Sequence, residues 1–104
     1  MVEYLRPAPL SPVSKIYSVA ARSRQTIFVD QEGPELAETD VSAKITSTQP
    51  LVVERAMYYS AQGQPFLAGH NGAGVTAPAT RWFLAEGATG SFFDLYVLIE
   101  TDNR

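Results

Sequence analysis

Turn-forming residues interrupt this chain so often that they limit what it can fold into. Clusters of proline, glycine, asparagine and aspartate recur about every ten positions, and the runs between them either alternate or are continuously apolar. An amphipathic helix needs apolar residues at i, i+3, i+4 and i+7, and that periodicity is nearly absent. Short alternating runs between turns are typical of strands. The sequence therefore predicts an all-β chain.

Seven or eight short strands are predicted, with one helical turn. The predicted strands span residues 2–5, 15–20, 25–30, 40–48, 51–60, 80–86 and 92–100. An eighth would be a short strand near Thr76, within a stretch at 61–79 that is otherwise predicted as a loop because of its glycines and prolines. Residues 34–38 suit a helical turn, because proline is tolerated at the first helical position.

The arrangement of these elements predicts an antiparallel β-sandwich, immunoglobulin-like or related, as a single domain over residues 1–104. No helices lie between the strands, as a parallel sheet would require. Short strands about ten residues apart are typical of a sandwich or a barrel. The cleanest alternation lies at 40–48, where Val41, Ala43 and Ile45 are expected to share one face.

Composition and net charge exclude several classes of partner and of chemistry for this chain. Hydrophobic residues make up 45% of the chain, which is enough to form a core. The formal net charge of −3, without a basic cluster, argues against nucleic acid or an anionic membrane as a partner. The chain has no cysteine, which excludes disulfides and thiol chemistry. No apolar run approaches the ~20 residues of a membrane span, and residues 1–10 lack the apolar core of a signal peptide.

Three segments resemble the motifs of a known family. The first is residues 21–30, with Ser-Arg-Gln-Thr-Ile at 23–27. The second is residues 50–59, with Val-Val-Glu-Arg-Ala-Met-Tyr at 52–58, leading to Gly-His at 69–70. The third is residues 82–89, which begin Trp-Phe-Leu-Ala-Glu-Gly and precede Phe-Phe-Asp at 92–94. They are similar to the SR-x-T-I, V-x-ER-x-MY…GH and W-x-x-AEG motifs of a bacterial domain of unknown function that recurs in tandem in exported or cell-surface proteins. The resemblance implies a β-sandwich repeat module, extracellular or at the cell surface, without catalytic residues. This location follows from the resemblance alone, and the residues themselves do not exclude the cytoplasm.

Charged candidates for a site are few. Glu54 and Arg55 are neighbours in the strongest predicted strand, so one is expected to point inward and form a buried ionic or hydrogen-bonded brace; the alternative is an arginine that binds a ligand carboxylate. His70, the only histidine, is interpreted as a loop anchor, with a metal site shared with Glu54, Glu86 or Asp94 as the alternative. Because metal-binding spacing is absent, no metal and no cofactor are predicted.

Aromatic side chains offer the best evidence for a binding surface. The set comprises Tyr58, Tyr59, Phe66, Trp82, Phe83, Phe92, Phe93 and Tyr96. Most are expected in the core, but alternation places some outside it, and Tyr96 lies with Leu98 opposite the expected core face of the last strand. Such rings supply a protein interface or a sugar-stacking surface.

These observations predict a non-enzymatic interaction module that associates with itself or with neighbouring repeats. The alternative is a β-sandwich that binds a carbohydrate or another small ligand, so that a glycan is the alternative partner. The candidate residues in either case are Glu54, Arg55, Tyr58, His70, Trp82, Glu86 and Tyr96. A small hydrolase using His70 with Glu54 or Glu86 is the remaining enzymatic hypothesis, and no Gly-x-Ser-x-Gly turn supports a serine nucleophile.

Overall fold

Five strands in two small antiparallel sheets, with one short helix, form the regular structure of the described chain. This computed structural model describes residues 1–61 and 63–101, without the side chains of residues 61 and 64–66. The chain divides into two units, Met1–Leu51 and Val52–Arg104, and each contains one sheet. The strand-rich, antiparallel character is therefore confirmed, and the single domain over 1–104 stays a prediction.

The first unit is built around a three-stranded sheet with the order β2-β1-β3. The strands are β1 (Val2–Leu5), β2 (Val13–Lys15) and β3 (Ser42–Ile45). The middle strand pairs antiparallel with both neighbours, so that Tyr4 lies opposite Val13 on one side and Ala43 on the other. Both edges of β1 are therefore satisfied by hydrogen bonds within the sheet.

The core of this unit lies on one face of β1. Val2 and Tyr4 are two residues apart and point to the same face, where they are buried with Leu36. The exposed fractions of Tyr4 and Leu36 are 2% and 3%. Partly buried residues pack around these three: Val13, Tyr17, Val29 and Val41. Because the core is so small, each buried residue accounts for a large share of the packing.

A short helix brings Leu36 to this core. Helix α1, Pro34–Ala37, begins with proline, and the Leu36 backbone N–H donates to the Gly33 carbonyl at 3.0 Å. Arg6 holds the helix against the end of β1, since its Nη1 donates to the Glu35 carbonyl at 3.3 Å. The predicted helical turn at 34–38 is confirmed, one residue shorter than expected.

Gly33 allows the chain to turn into α1. Its φ of 149° lies in a region that side chains rarely adopt, and an added Cβ would lie 2.8 Å from Oε2 of Glu35. We expect Gly33→Ala to lower the free energy of unfolding of the first unit by about 1–3 kcal/mol. Urea denaturation measures this, and Gly74→Ala is the control, because nothing lies within 4 Å of its added Cβ. Equal effects of the two substitutions would contradict the strain at Gly33.

The second unit contains one β-hairpin. Strand β4 spans Glu54–Ala61 and pairs antiparallel with β5, Gln64–Ala73. Gly63 lies in the turn with a φ of 71°, which suits a tight hairpin connection. The register shifts between Tyr59 and Ala61, as in a β-bulge.

The prediction of a loop over 61–79 is wrong for most of its length, because β5 occupies Gln64–Ala73. Its glycines were read as loop residues, but two of them lie opposite larger side chains: Gly69 faces Tyr58, and Gly72 faces Arg55. Cδ1 of Tyr58 lies 3.5 Å from where a Cβ of Gly69 would be. That distance is an ordinary van der Waals contact, whereas the Met57 carbonyl oxygen would lie closer to the added Cβ, at 3.2 Å.

Several other strand predictions differ from the structure. The first strand is confirmed at Val2–Leu5, and the predictions at 40–48 and 51–60 contain or overlap β3 and β4. The prediction at 15–20 overlaps β2 only at Lys15. Residues 25–30 form no strand, and the last two of them belong to a 3₁₀ turn, Val29–Gln31. Residues 80–86 and 92–100 are in no strand, since neither is paired within the described chain.

Alternation within β3 also differs from expectation. Val41 is partly buried against the core, but Ala43 and Ile45, which were expected on the same inward face, are exposed. The sheet has only three short strands, and α1 covers a small part of its face. In this unit, a residue on the inward face of a strand is therefore not always buried.

Candidate functional site

The candidate site is the apolar surface of the second unit. Among the side chains that the structure describes in this unit, none is buried. The most exposed apolar residues are Val52, Phe83, Phe92, Tyr96 and Ile99. The only sheet described in this unit is a single hairpin, which is too small to cover them. An isolated two-stranded sheet is also at best marginally stable in water. The expectation that most of the aromatic set would be in a core is therefore wrong for the described rings; the side chain of Phe66 lies outside them.

The hairpin distributes four of the predicted site residues between its two faces. Residues directly opposite each other in an antiparallel pair share a face, and His70 lies opposite Met57. Arg55 is two residues from Met57, so Arg55 and His70 are on one face. Glu54 and Tyr58 are on the other. The hypothesis that His70 acts with Glu54 in one pocket is therefore not supported by this register.

The Glu54–Arg55 pair does not form the buried brace that was expected. The two side chains point to opposite faces of β4, as predicted, but both are exposed. The expectation assumed that one face of this strand would be covered by a second sheet. Both faces are open to solvent in this unit, so neither side chain has to lose its hydration.

Trp82 and Glu86 belong to the chain that follows the hairpin. The Trp82 indole Nε1 donates to the Ala79 carbonyl at 3.0 Å, while the side chain is half-exposed. Glu86 lines an open groove of about 410 Å³ with Gly87, Ala88 and Phe93. The groove has one carboxylate and no described basic side chain in its lining, so it offers little chemistry beyond apolar contact.

Exposure alternates from Phe93 to Leu98, although these residues belong to no sheet of the described chain, and the alternation ends at Ile99, which is 84% exposed. Phe93, Leu95 and Val97 are each about half-exposed, whereas Tyr96 is 78% exposed and Leu98 71%. The less exposed face packs toward Gly87, where an added Cβ would lie 2.8 Å from Cδ2 of Leu95. Tyr96 and Leu98 project outward, as predicted for the last strand, and are a part of the apolar surface.

The rings of this surface do not form a flat platform where their geometry is defined. Phe92 and Phe93 meet edge to face, with centroids 4.9 Å apart and an interplanar angle of 81°. Sugar-binding surfaces of the kind considered above would need coplanar rings beside polar groups. This pair favours apolar packing against another protein surface.

Sequence reasoning missed a polar network in the first unit. The Tyr17 hydroxyl donates to Oε2 of Glu32 at 2.7 Å, so the Tyr4 hydroxyl donates to Tyr17, at 2.9 Å. Lys15 Nζ donates to the Glu32 carbonyl and lies 3.9 Å from Oε2 of the same residue. Partial burial, with the hydrogen bonds to Tyr4 and Glu32, raises the pKa of Tyr17. No local signal marks these residues, because Tyr4 and Tyr17 are 13 positions apart.

This network is a structural brace rather than a reactive site. A raised pKa keeps the Tyr17 phenol protonated, which is the opposite of what a nucleophile or base needs. The network joins β1, β2 and the loop before α1, and it gives the buried Tyr4 hydroxyl a partner. The candidate function therefore rests on the second unit.

Comparisons with protein-family models, with curated proteins and with solved structures give no match to this chain. Within residues 1–61 and 63–101, no three histidine, aspartate or glutamate side chains cluster in a way that could hold a metal ion. The helix in that part of the chain is also far too short and polar to cross a membrane.

Proposed function

We propose that this chain is a non-enzymatic structural module that associates with copies of itself, or with neighbouring repeats where it is part of an array. One observation carries the proposal: the apolar side chains described in the Val52–Arg104 unit are exposed. Large contiguous apolar surface is rare on monomers and marks interaction sites. Covering it stabilises an assembly by roughly 25 cal/mol for each Å² removed from water.

The partner that fits this surface best in the isolated protein is a second copy. The described surface from Phe92 to Ile99 carries one charged residue, Asp94, among apolar neighbours. It presents no charged stripe that would select an oppositely charged protein or nucleic acid. Both sheets are small and have edges that no described strand covers, and open edges favour pairing between identical chains.

A complete β-sandwich of seven or eight strands is part of this proposal. Residues 80–86 and 92–100 have the composition of strands and an exposed apolar face. Association supplies the second layer that such strands need. The family resemblance supports a repeat module at an extracellular or cell-surface location, and we propose that location with the fold.

The native mass tests the proposal. We expect light scattering on a sizing column to give at least twice the monomer mass of 11.3 kDa, across a hundredfold range of concentration down to about 1 μM. Protein interfaces of about 1,600 Å² give complexes whose Kd ranges from micromolar to picomolar, so a dimer of this kind is detectable in that range of concentration. A monomer throughout the range would refute self-association and leave ligand binding as the better reading.

A carbohydrate-binding module is the second candidate. Trp82 and Phe83 are exposed, and Glu86 supplies a carboxylate in the adjoining open groove. The indole N–H of Trp82 is already bonded to the Ala79 carbonyl, which leaves it less able to bind a hydroxyl. Saturation-transfer NMR with a panel of glycans would show ring-proton contacts if this reading holds; no transfer to any glycan would exclude it for that panel.

A further inference from the structure

Residues 18–26 form a loop of the first unit that is held by little besides its own turn. All of them are exposed, and they belong to no strand or helix. Within residues 1–61 and 63–101, no hydrogen bond between backbone groups involves residues 18–26. Inside the loop, the Ser23 hydroxyl donates to the Ala20 carbonyl at 2.7 Å. Exposed loops of small and polar residues are the preferred sites of proteolytic nicking.

Two arginines give this loop the chemistry that one class of protease recognises. Arg22 and Arg24 lie on either side of Ser23, and both are exposed. Serine proteases of trypsin specificity hold a basic side chain against an aspartate in their specificity pocket. Arg22 has a φ of 56°, a left-handed conformation that is unfavourable for a residue with a side chain. Little is therefore lost when a protease draws this segment into an extended form.

We infer that this loop is a processing site for a protease of trypsin specificity, which cuts after Arg22 or Arg24 and leaves a first unit of two pieces that stays folded. Water is the co-reactant: it adds to the carbonyl carbon of the arginine, and the bond from that carbon to the next nitrogen breaks. The products are a new carboxylate and a new amino terminus. Every contact involved lies in Met1–Leu51, so the processing is independent of the proposed self-association.

The other basic residues of the first unit lie in or beside paired strands. Lys15 lies in β2 opposite Val2, and Lys44 lies in β3 opposite Glu3. Arg6 directly follows β1 and precedes a proline, whose bond to the preceding residue trypsin cuts poorly. A paired strand has to open before a protease can bind it, whereas the loop is already unpaired. The structure therefore favours cleavage in the loop.

The contacts that would join the two pieces do not involve the loop. The N-terminal piece contains β1 and β2, and the C-terminal piece contains α1 and β3. β1 pairs with β3 along its whole length, and Leu36 of α1 is buried with Val2 and Tyr4. The Tyr17 hydroxyl also donates to Glu32 across the cut. Cleavage in the loop leaves all of these contacts in place.

Brief digestion of the full chain with a limiting amount of trypsin, followed by mass spectrometry, tests the site. We expect cleavage after Arg22 or Arg24 to be at least about tenfold faster than cleavage after Lys15 or Lys44. Lys44 is the internal control for pairing, because its side chain is exposed as well. Equal rates at Lys44 and in the loop would overturn the site.

A double substitution gives a matched test with the same protease. Arg22→Gln combined with Arg24→Gln removes both basic side chains from an exposed loop, so the fold of the unit should not change. We expect it to slow cleavage of the first unit at least about tenfold, and Lys44→Gln to leave that rate within about twofold of the original. A double variant that is cut as fast as the original chain would refute the site.

A sizing column tests whether the cut unit stays folded. In buffer, we expect the N-terminal piece to elute together with the C-terminal piece. In concentrated urea the two should separate, because the chain has no cysteine and hence no disulfide to join them. An N-terminal piece that elutes alone in buffer would show that the sheet and the core do not hold the pieces together, and would overturn the folded two-piece unit.

Discussion

Replacing Leu36 by alanine is expected to lower the free energy of unfolding of the Met1–Leu51 unit by about 3 kcal/mol. Leu36 is 3% exposed and is one of three buried residues in the unit, with Val2 and Tyr4. Its removal leaves a cavity between α1 and the central strand. A core this small has few other contacts through which to compensate, so we expect the variant to be partly unfolded at 37 °C.

Amide hydrogen exchange of β1 is the appropriate measurement for Leu36→Ala, because the only tryptophan, Trp82, belongs to the other unit. Leu10→Ala is the matched control, since Leu10 is half-exposed and should change stability by less than about 0.5 kcal/mol. Similar losses of protection in the two variants would show that the Leu36 contact does not hold this unit together.

The second large effect is expected at Tyr17. Tyr17→Phe removes the acceptor of the Tyr4 hydroxyl. Because Tyr4 is only 2% exposed, its hydroxyl is left without this partner in a largely buried position, so a cost of about 2 kcal/mol is expected. Tyr4→Phe is the matched control, because Tyr17 still donates to Glu32 in that variant and only one hydrogen bond is lost, at about 1 kcal/mol. Urea denaturation followed by exchange of β1 amides distinguishes them. A larger effect of Tyr4→Phe would contradict the direction of the hydrogen bonds.

The pH dependence of the free energy of unfolding gives a second test of Tyr17→Phe. Burial and hydrogen bonding raise the pKa of Tyr17 in the folded state above the unfolded value of about 10. The folded state therefore binds the Tyr17 proton more tightly than the unfolded state does. The contribution of protonated Tyr17 to the free energy of unfolding is complete below about pH 10 and declines as the pH rises above that value. Tyr17→Phe should lose this decline. An unchanged slope between pH 10 and 11.5 would show that Tyr17 ionises as it does in the unfolded chain.

Local patterns predicted the elements whose structure is itself local. Val2–Leu5 and the Pro34 turn were located because alternation and proline act within a few residues. The period of two also placed Glu54 and Arg55 on opposite faces of β4. The all-β class followed from the same kind of evidence.

What the sequence did not predict depends on residues far apart in the chain. β5 was missed because its glycines and proline are local turn signals, whereas its pairing with β4 is a contact between two segments of the chain. The Tyr4–Tyr17–Glu32 network depends on the register of β1 against β2. Glu54 or Arg55 was expected to be buried under a second sheet, and no described strand of their unit covers them.

The central position of β1 also sets the order of events during synthesis. β1 needs β3 on one side, and the register pairs Val2 with Ile45, 43 positions later. At a translation rate of about 5–20 residues per second, the first strand waits roughly 2–9 seconds before that neighbour has been made. The β4–β5 hairpin joins strands that are adjacent in the chain and closes within microseconds of emerging. The nascent first strand is therefore the element most in need of protection from other chains until residue 45 has left the ribosome.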